Sequence, residues 1–569
     1  MATTHTRVPA ARAIAAALTI IAAAAICSIP FWSTPSWAAD KSRLTIGMSQ
    51  YPATLSPVFE SMMAKAYVLA MARRPITVYD QDWRPTCLVC TKLPSLEDGT
   101  AVWETAENGD PGIAISYTLN PAAVWGDGTP ITTDDVLLSV EIGQDPQTGA
   151  LNAELFRRID KVTVQDDKSF TLHINKRTCN FENIAGLALL PNHIERPIYE
   201  ADPRSYRRRT AYDADPTNPG LWFGPYRVAR VTVGQSILLE RNPSWWGPEP
   251  YFDEIEVRAI QNTSALIANL LAGDIDMIAG ELGLAADQAL GFESRSGDDY
   301  QFLYKSGLVY EHIDVNLDNP SLADLRVRQA LIHGIDRQAI SEQLFQGKQP
   351  VAHGNVNPLD KWYDPDVPKY DYDPKKSVEL LKEAGWDAGP DGIRVKDGER
   401  LTLTFQTTAE NKTRELVQQV IQNQWRAIGV EAVLKNEQPR IFFAETITKR
   451  AFDGVVMYAW LSAPESIPFS TLHSSQIPTE ENAWQGQNYP GYNSPEMDET
   501  IDRLETDCAD EDQRVLWSDL QARYARDLPV LPLYFRAEPY VLPKNMTGLR
   551  PTGHQYPSSL WVEEWRLTE

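Results

Sequence analysis

The sequence has no surplus of positive charge. Over 569 residues its formal net charge is −24. A chain without a basic footprint cannot neutralise a phosphate backbone, so nucleic acid is excluded as a partner. Motifs of common hydrolases and nucleotide enzymes are also missing: there is no G-x-S-x-G, no H-E-x-x-H and no G-x-x-x-x-G-K. Histidine is scarce. His173, His193, His312, His333, His353, His473 and His554 are scattered without metal-ligand spacing, so neither a metal nor a cofactor is expected. Cysteine is scarcer still, with five residues. No internal repeat or low-complexity tract follows the N-terminal region, and no later segment is long and apolar enough to span a bilayer.

The N-terminus has the pattern of an export signal. Arg7 and Arg12 precede an apolar run at 13–29, and Ser36-Trp37-Ala38 places small residues where a signal peptidase needs them. Cleavage after Ala38 is expected, with Ala39 as the next-best site. That makes residues 1–38 a signal peptide and the mature chain two charges more negative. Cys27 lies in a poor context for a lipid anchor. An exported, unanchored chain is best retained between two membranes, so a periplasmic location is expected. In that oxidising compartment the four remaining cysteines are expected to form structural disulfides. Cys87-Leu-Val-Cys90 has redox-motif spacing, but Pro85 and Pro94 flank it and no amphipathic helix follows. Cys179 is a candidate partner, Cys508 completes the set, and the pairing is left open.

A chain this long exceeds one hydrophobic core, so two or more lobes are expected. The segment 401–434 reads as strand, helix, strand with parallel strands. Asp373, Asp324 and Asp336 stand as helix N-caps, and Gly385, Gly334 and Gly429 as helix stops. Residues 162–174 and 227–242 each read as a hairpin. Arg326 and Arg328 fit a charged helix face, and Arg207-Arg208-Arg209 a salt-bridged turn. These elements define an α/β chain.

Taken in order, several segments resemble the extracellular solute-binding proteins of the oligopeptide/dipeptide type (family 5), which serve ABC importers. They are LTIGMSQYPATLSP (44–57), WGDGTPITTDDVLLSV (125–140), NPGLWFGPYRV with ILLERNPSWWG (218–247), LAGDIDM (271–277), DLRVRQALIHGIDRQAI (324–340), FDGVVMYAW (452–460) and GYNSPEMDETID (491–502). The resemblance implies a two-lobed periplasmic-binding-protein clamshell of the large type II cluster. Lobe I would comprise 39–72, 216–313 and 534–569. An inserted subdomain would fill 73–215, and lobe II would run over 314–533. The chain would cross between lobes near Asp314 and Leu533. The implied partners are a small-molecule or peptide ligand and the membrane permease subunits of the importer, with the protein itself a monomer.

By the same resemblance, the strand ending at Trp460 faces the ligand. Ala459, Trp460, Leu461 and Ser462 lie at its end, Phe59 and Glu60 supply a backbone edge from lobe I, and Tyr534 adds an aromatic near the second crossing. Peptide binders of this type carry an aspartate after that tryptophan to pair with the peptide ammonium. Here Leu461-Ser462-Ala463-Pro464-Glu465 follows, without aspartate. Either Glu465 supplies the charge, or the ligand has no free amine there. A peptide is the leading expectation, with a sugar, opine, modified peptide or metal chelate as alternatives. From a different class, a secreted hydrolase would use Ser462 or Ser466 with His473 as base. A non-enzymatic carrier is the expectation adopted.

Overall fold

Short-range rules account for the helices. In the computed structural model, which describes residues 42–151 and 153–568, the Asp373 carboxylate accepts hydrogen bonds from the backbone N–H groups of Lys375 and Lys376. Pro374 opens the helix Pro374–Glu383. Gly385 follows it at φ 88°, a left-handed conformation in which a Cβ is disfavoured. Asp324 and Asp336 cap Leu325–His333 and Arg337–Phe345. Arg326 bonds back to Asp324, and Arg328 donates to the carbonyls of Leu322, Ala323 and Asp527, so both arginines serve the helix ends. The expected signal peptide, residues 1–38, lies outside the described residues. Among the described residues no helix is long and apolar enough to cross a membrane.

The strand–helix–strand segment forms as read. Thr402–Thr407 pairs in parallel with Glu431–Leu434, joined by the helix Lys412–Ala427. Thr402–Thr407 also pairs in parallel with Val455–Leu461. These strands begin one ten-stranded sheet. From them the order continues through Tyr300–Val315, Val530–Pro543, Met277–Ile278, Arg43–Met48, Glu254–Ala259, Ser236–Arg241 and Tyr226–Thr232. The last two form the expected antiparallel hairpin.

The long strands Tyr300–Val315 and Val530–Pro543 run antiparallel through the middle of the sheet, and their two ends belong to different cores. Ile313, Val315, Leu531 and Leu533 pack with Leu331, Phe405 and Trp425. Tyr540 and Leu542 pack with Leu44, Ile46, Tyr226 and Val257. Between these cores the pairing shifts register, from Ser306 to Tyr310. Gly307 sits in that shift, where a Cβ would lie 2.4 Å from the Gly553 carbonyl oxygen.

A separate four-stranded antiparallel sheet carries the hairpin of Ile159–Val164 and Ser169–Ile174. Trp125, Ile131, Phe170 and Leu172 belong to its core. The W-G-D-G-T-P segment proves architectural. The Asp135 carboxylate accepts from Trp125 Nε1 at 3.2 Å, from the Thr132 amide at 2.8 Å and from the Asn192 amide at 2.7 Å. The cysteine pairing is Cys87–Cys90 and Cys179–Cys508.

Candidate functional site

The strand Val455–Leu461 leaves the core as it ends. Val455 to Tyr458 are buried, Ala459 and Trp460 half-buried, and Leu461 is 55% exposed. Pairing with the long central strand sets Trp460 opposite Tyr310 and Leu461 opposite Val309. The chain then turns sharply. Glu465 takes φ 58°, and its amide donates to Asp360 Oδ2 at 2.7 Å.

This loop lies between two adjoining cavities. One, of about 420 Å3, is lined by Trp460, Leu461 and Ser462 together with Tyr310, Tyr458, Asp314 and Tyr524. The other, of about 750 Å3, is lined by Glu465, Lys361 and Trp362 and also by Tyr79, Phe181 and Glu182. Ala463, Ser466 and Ile467 line both.

Charged groups of both signs line the larger cavity. Lys361 Nζ lies 3.1 Å from Glu465 Oε2, Glu465 Oε1 is buried, and the Trp362 side chain also hydrogen-bonds this carboxyl. Burial pushes the Glu465 carboxyl up; Lys361 draws it down and Asp360 opposes that. Burial also raises Glu182, against the pull of Lys361 and with a further push from Glu465 and Asp510. Asp360 is raised by burial too, and the amides of Glu465 and Trp362 and the Lys361 charge moderate it. Lys361 thus acts on all three carboxyl groups, and Arg158, Lys176 and Arg177 line the same cavity.

The other expected residues lie apart. Ala459 pairs opposite Glu311 and lines neither cavity. Phe59 is 2% exposed and packs edge-on against Tyr206, and its carbonyl accepts from the Lys65 ammonium. Glu60 is ion-paired with Arg207, which gives the arginine run its salt bridge. Neither Phe59 nor Glu60 lines the two cavities. Tyr534 is buried against Phe345 and lines a third cavity of about 320 Å3, with Arg414, Arg536, Glu281 and Glu538. Trp460, Leu461, Ser462 and Glu465 are therefore gathered at one loop. Asp360, Lys361 and Glu182 join them without having been anticipated, because no local pattern in the sequence ties those positions to residue 465.

His473 is held by its own loop and by the helix Pro495–Thr506. Its Nδ1 lies 2.7 Å from Ser475 Oγ, its ring stacks on Phe469 and its Nε2 is 3.5 Å from Asp502. Among the described residues no hydrogen bond links it to Ser462 or Ser466, and no group of three His, Cys, Asp or Glu is placed to hold a metal ion.

The third cavity carries a pH dependence. Burial, reinforced by the neighbouring Glu281 carboxyl, pushes Glu538 up to about 8, and burial raises Glu281 as well. An unfolded glutamate titrates near ~4.3. Between that value and the folded one, the folded state holds a proton that the unfolded chain has released, so stability falls as pH rises through this window. Glu538→Gln should flatten that fall. In thermal melts the variant should exceed the wild type at pH 8 and match it at pH 5; parallel curves at both values would contradict the assignment.

The architecture is that of a two-lobed α/β binding protein of the periplasmic type. Residues 100–478 match the model of the bacterial extracellular solute-binding proteins, family 5 Middle, and the chain belongs to that family. It is similar to the oligopeptide-binding protein AppA of Bacillus subtilis, at 27% identity over 474 residues, covering 82% of this chain and 83% of AppA. The crystal structure of the oligopeptide-binding protein of Thermus thermophilus, complexed with a pentapeptide, aligns with a TM-score of 0.66 and 28% identity over 92% of this chain and 96% of that one. NikA of Brucella suis, in complex with Fe(III)-EDTA, shares the fold at a TM-score of 0.73 and 19% identity, covering 92% of this chain and all of its own.

Proposed function

We propose that the protein is the periplasmic, non-catalytic binding component of an ABC importer. In this reading it captures a peptide between two lobes as a monomer and hands it to the membrane permease. Lobe II is 314–533, the inserted subdomain 73–215, and the remainder of the mature chain lobe I. Two strands serve as the crossings between lobes. The long strands Tyr300–Val315 and Val530–Pro543 carry these crossings, near Asp314 and Leu533, with Tyr534 beside the second. A solute that touches both lobes favours closure by its differential affinity for the closed form.

The observation that carries the reading is the loop after Trp460. An extended peptide is held by strand-like backbone hydrogen bonds, and the exposed end of Val455–Leu461 offers such an edge. Roomy cavities on both flanks of the loop accept varied side chains. Glu465 stands in for the absent aspartate. Its buried carboxyl at the cavity wall supports the role of acceptor for the peptide ammonium, since a buried ammonium left without a carboxylate is costly. Glu465→Gln should weaken binding of free-amine peptides at least about tenfold, ~1.4 kcal/mol, and leave N-acetylated peptides unaffected. Calorimetry with matched peptide pairs tests this, and an equal loss for both would remove Glu465 from that role.

A further inference from the structure

Cys179 and Cys508 are 329 residues apart in sequence, and their Cα atoms are 4.9 Å apart. Cys179 lies in the loop that follows the strand Ser169–Ile174, two residues before Phe181, a member of the core of the four-stranded sheet. It is therefore anchored to the inserted region. Cys508 lies in the turn between the helices Pro495–Thr506 and Asp510–Asp527. Those helices bury Met497, Ile501, Leu504, Trp517 and Leu520 in a core of their own. The turn is held by Gln513, whose Nε2 donates to the carbonyls of Leu504 and Asp507, each at 2.9 Å. Both cysteines line the larger cavity, as do Glu182 of the inserted region and Glu465 of lobe II. An ion pair of Lys176 with Glu505, at 2.7 Å, crosses the same seam.

We propose that the Cys179–Cys508 disulfide is a redox latch on the solute cleft. The inference rests on the two-lobed reading above. The lobes are joined by the paired strands that cross near Asp314 and Leu533, on one side of the site. The disulfide adds a third covalent link on the side where the cavity walls must part. A disulfide confines its two Cα atoms to within about 7 Å of each other, so the oxidised protein cannot swing the inserted region away from lobe II at this seam. Solute exchange is then limited to small motions.

Reduction releases the latch. A dithiol reductant attacks one of the two sulfurs as thiolate, forming a mixed disulfide and freeing the other cysteine. Its second thiol then displaces the protein sulfur, leaving Cys179 and Cys508 as thiols and the reductant as a cyclic disulfide. Two electrons pass from reductant to protein. Both cysteines are half-buried rather than enclosed, which leaves the bond open to attack. The Cys87–Cys90 bridge closes a local turn and joins no two lobes.

The test follows the lobe distance in the mature protein with no added solute. Dyes are attached through azidophenylalanine placed at Val102, 52% exposed on the four-stranded sheet, and Val515, 65% exposed on the helix Asp510–Asp527. Single-molecule energy transfer should give one narrow population in the oxidised protein. A second, more separated population should appear after treatment with a phosphine or dithiol reductant, and without treatment in Cys179→Ser/Cys508→Ser. Cys87→Ser/Cys90→Ser should behave as the wild type before and after reduction. Identical distributions in oxidised and reduced wild type would overturn the proposal, including the case in which reduction lowers the melting temperature alone. So would peptide mapping that finds Cys179 and Cys508 as free thiols in protein made in an oxidising compartment. Because no solute enters the measurement, its outcome is independent of whether peptides bind.

Discussion

Glu311→Ala is expected to destabilise the protein by about 3–5 kcal/mol, the cost of breaking a buried ion pair by removing one partner. The Glu311 side chain is fully buried on the long central strand. It pairs with Arg414 at 2.5 Å and with Arg536 at 2.6 Å. Burial alone would push its carboxyl up, yet the Arg536 and Arg414 guanidinium groups hold it below the usual range. Removing it leaves the Arg414 side chain, 10% exposed, without its carboxylate. Arg414 belongs to the helix Lys412–Ala427 and Arg536 to the strand Val530–Pro543, so three elements lose their common tie. Denaturant unfolding monitored by tryptophan fluorescence checks this, and a loss below about 1 kcal/mol would contradict it. Glu311→Gln retains the shape but not the charge and is expected to lie between alanine and the wild type.

Trp460→Ala should reduce peptide affinity at least about tenfold, or ~1.4 kcal/mol. Its ring is half-buried, lies edge-on to Tyr458 at 6.4 Å and forms part of the cavity wall. An aromatic of this kind presents a large rigid surface to a ligand at low entropic cost. The backbone at this position is held by pairing with Tyr310, so the strand should survive the truncation. Trp460→Phe should recover most of the affinity. Calorimetry with a pentapeptide distinguishes the outcomes, and unchanged affinity in the alanine variant would take Trp460 out of the site.

The elements that were legible in the sequence are those whose causes are short-range. Asp324, Asp336 and Asp373 cap helices through amides two or three residues away, and the strand–helix–strand at 402–434 is written in its periodicity. Trp460 to Glu465 were singled out by the resemblance, on one continuous stretch of the sequence. What was not legible depends on separation. Glu182 and Asp360 reach the loop only after three parts of the chain assemble. The Lys65 ammonium on the Phe59 carbonyl and the Arg207 partner of the Glu60 side chain are likewise products of assembly. Spacing could not choose a partner for Cys179, because the one it takes lies 329 residues away. Nor did any local signal show that a single sheet would run through both cores, since that rests on two strands long enough to serve each of them.

The central claim is that the loop after Trp460 reads a peptide. Native mass spectrometry of the protein purified from its own cells, followed by sequencing of whatever denaturation releases, tests this most directly. The account predicts a bound mass that fragments as one or more short peptides with free N-termini, lost in Trp460→Ala. Release of a sugar, an opine or a metal chelate in stoichiometric amount, with no peptide retained, would contradict it.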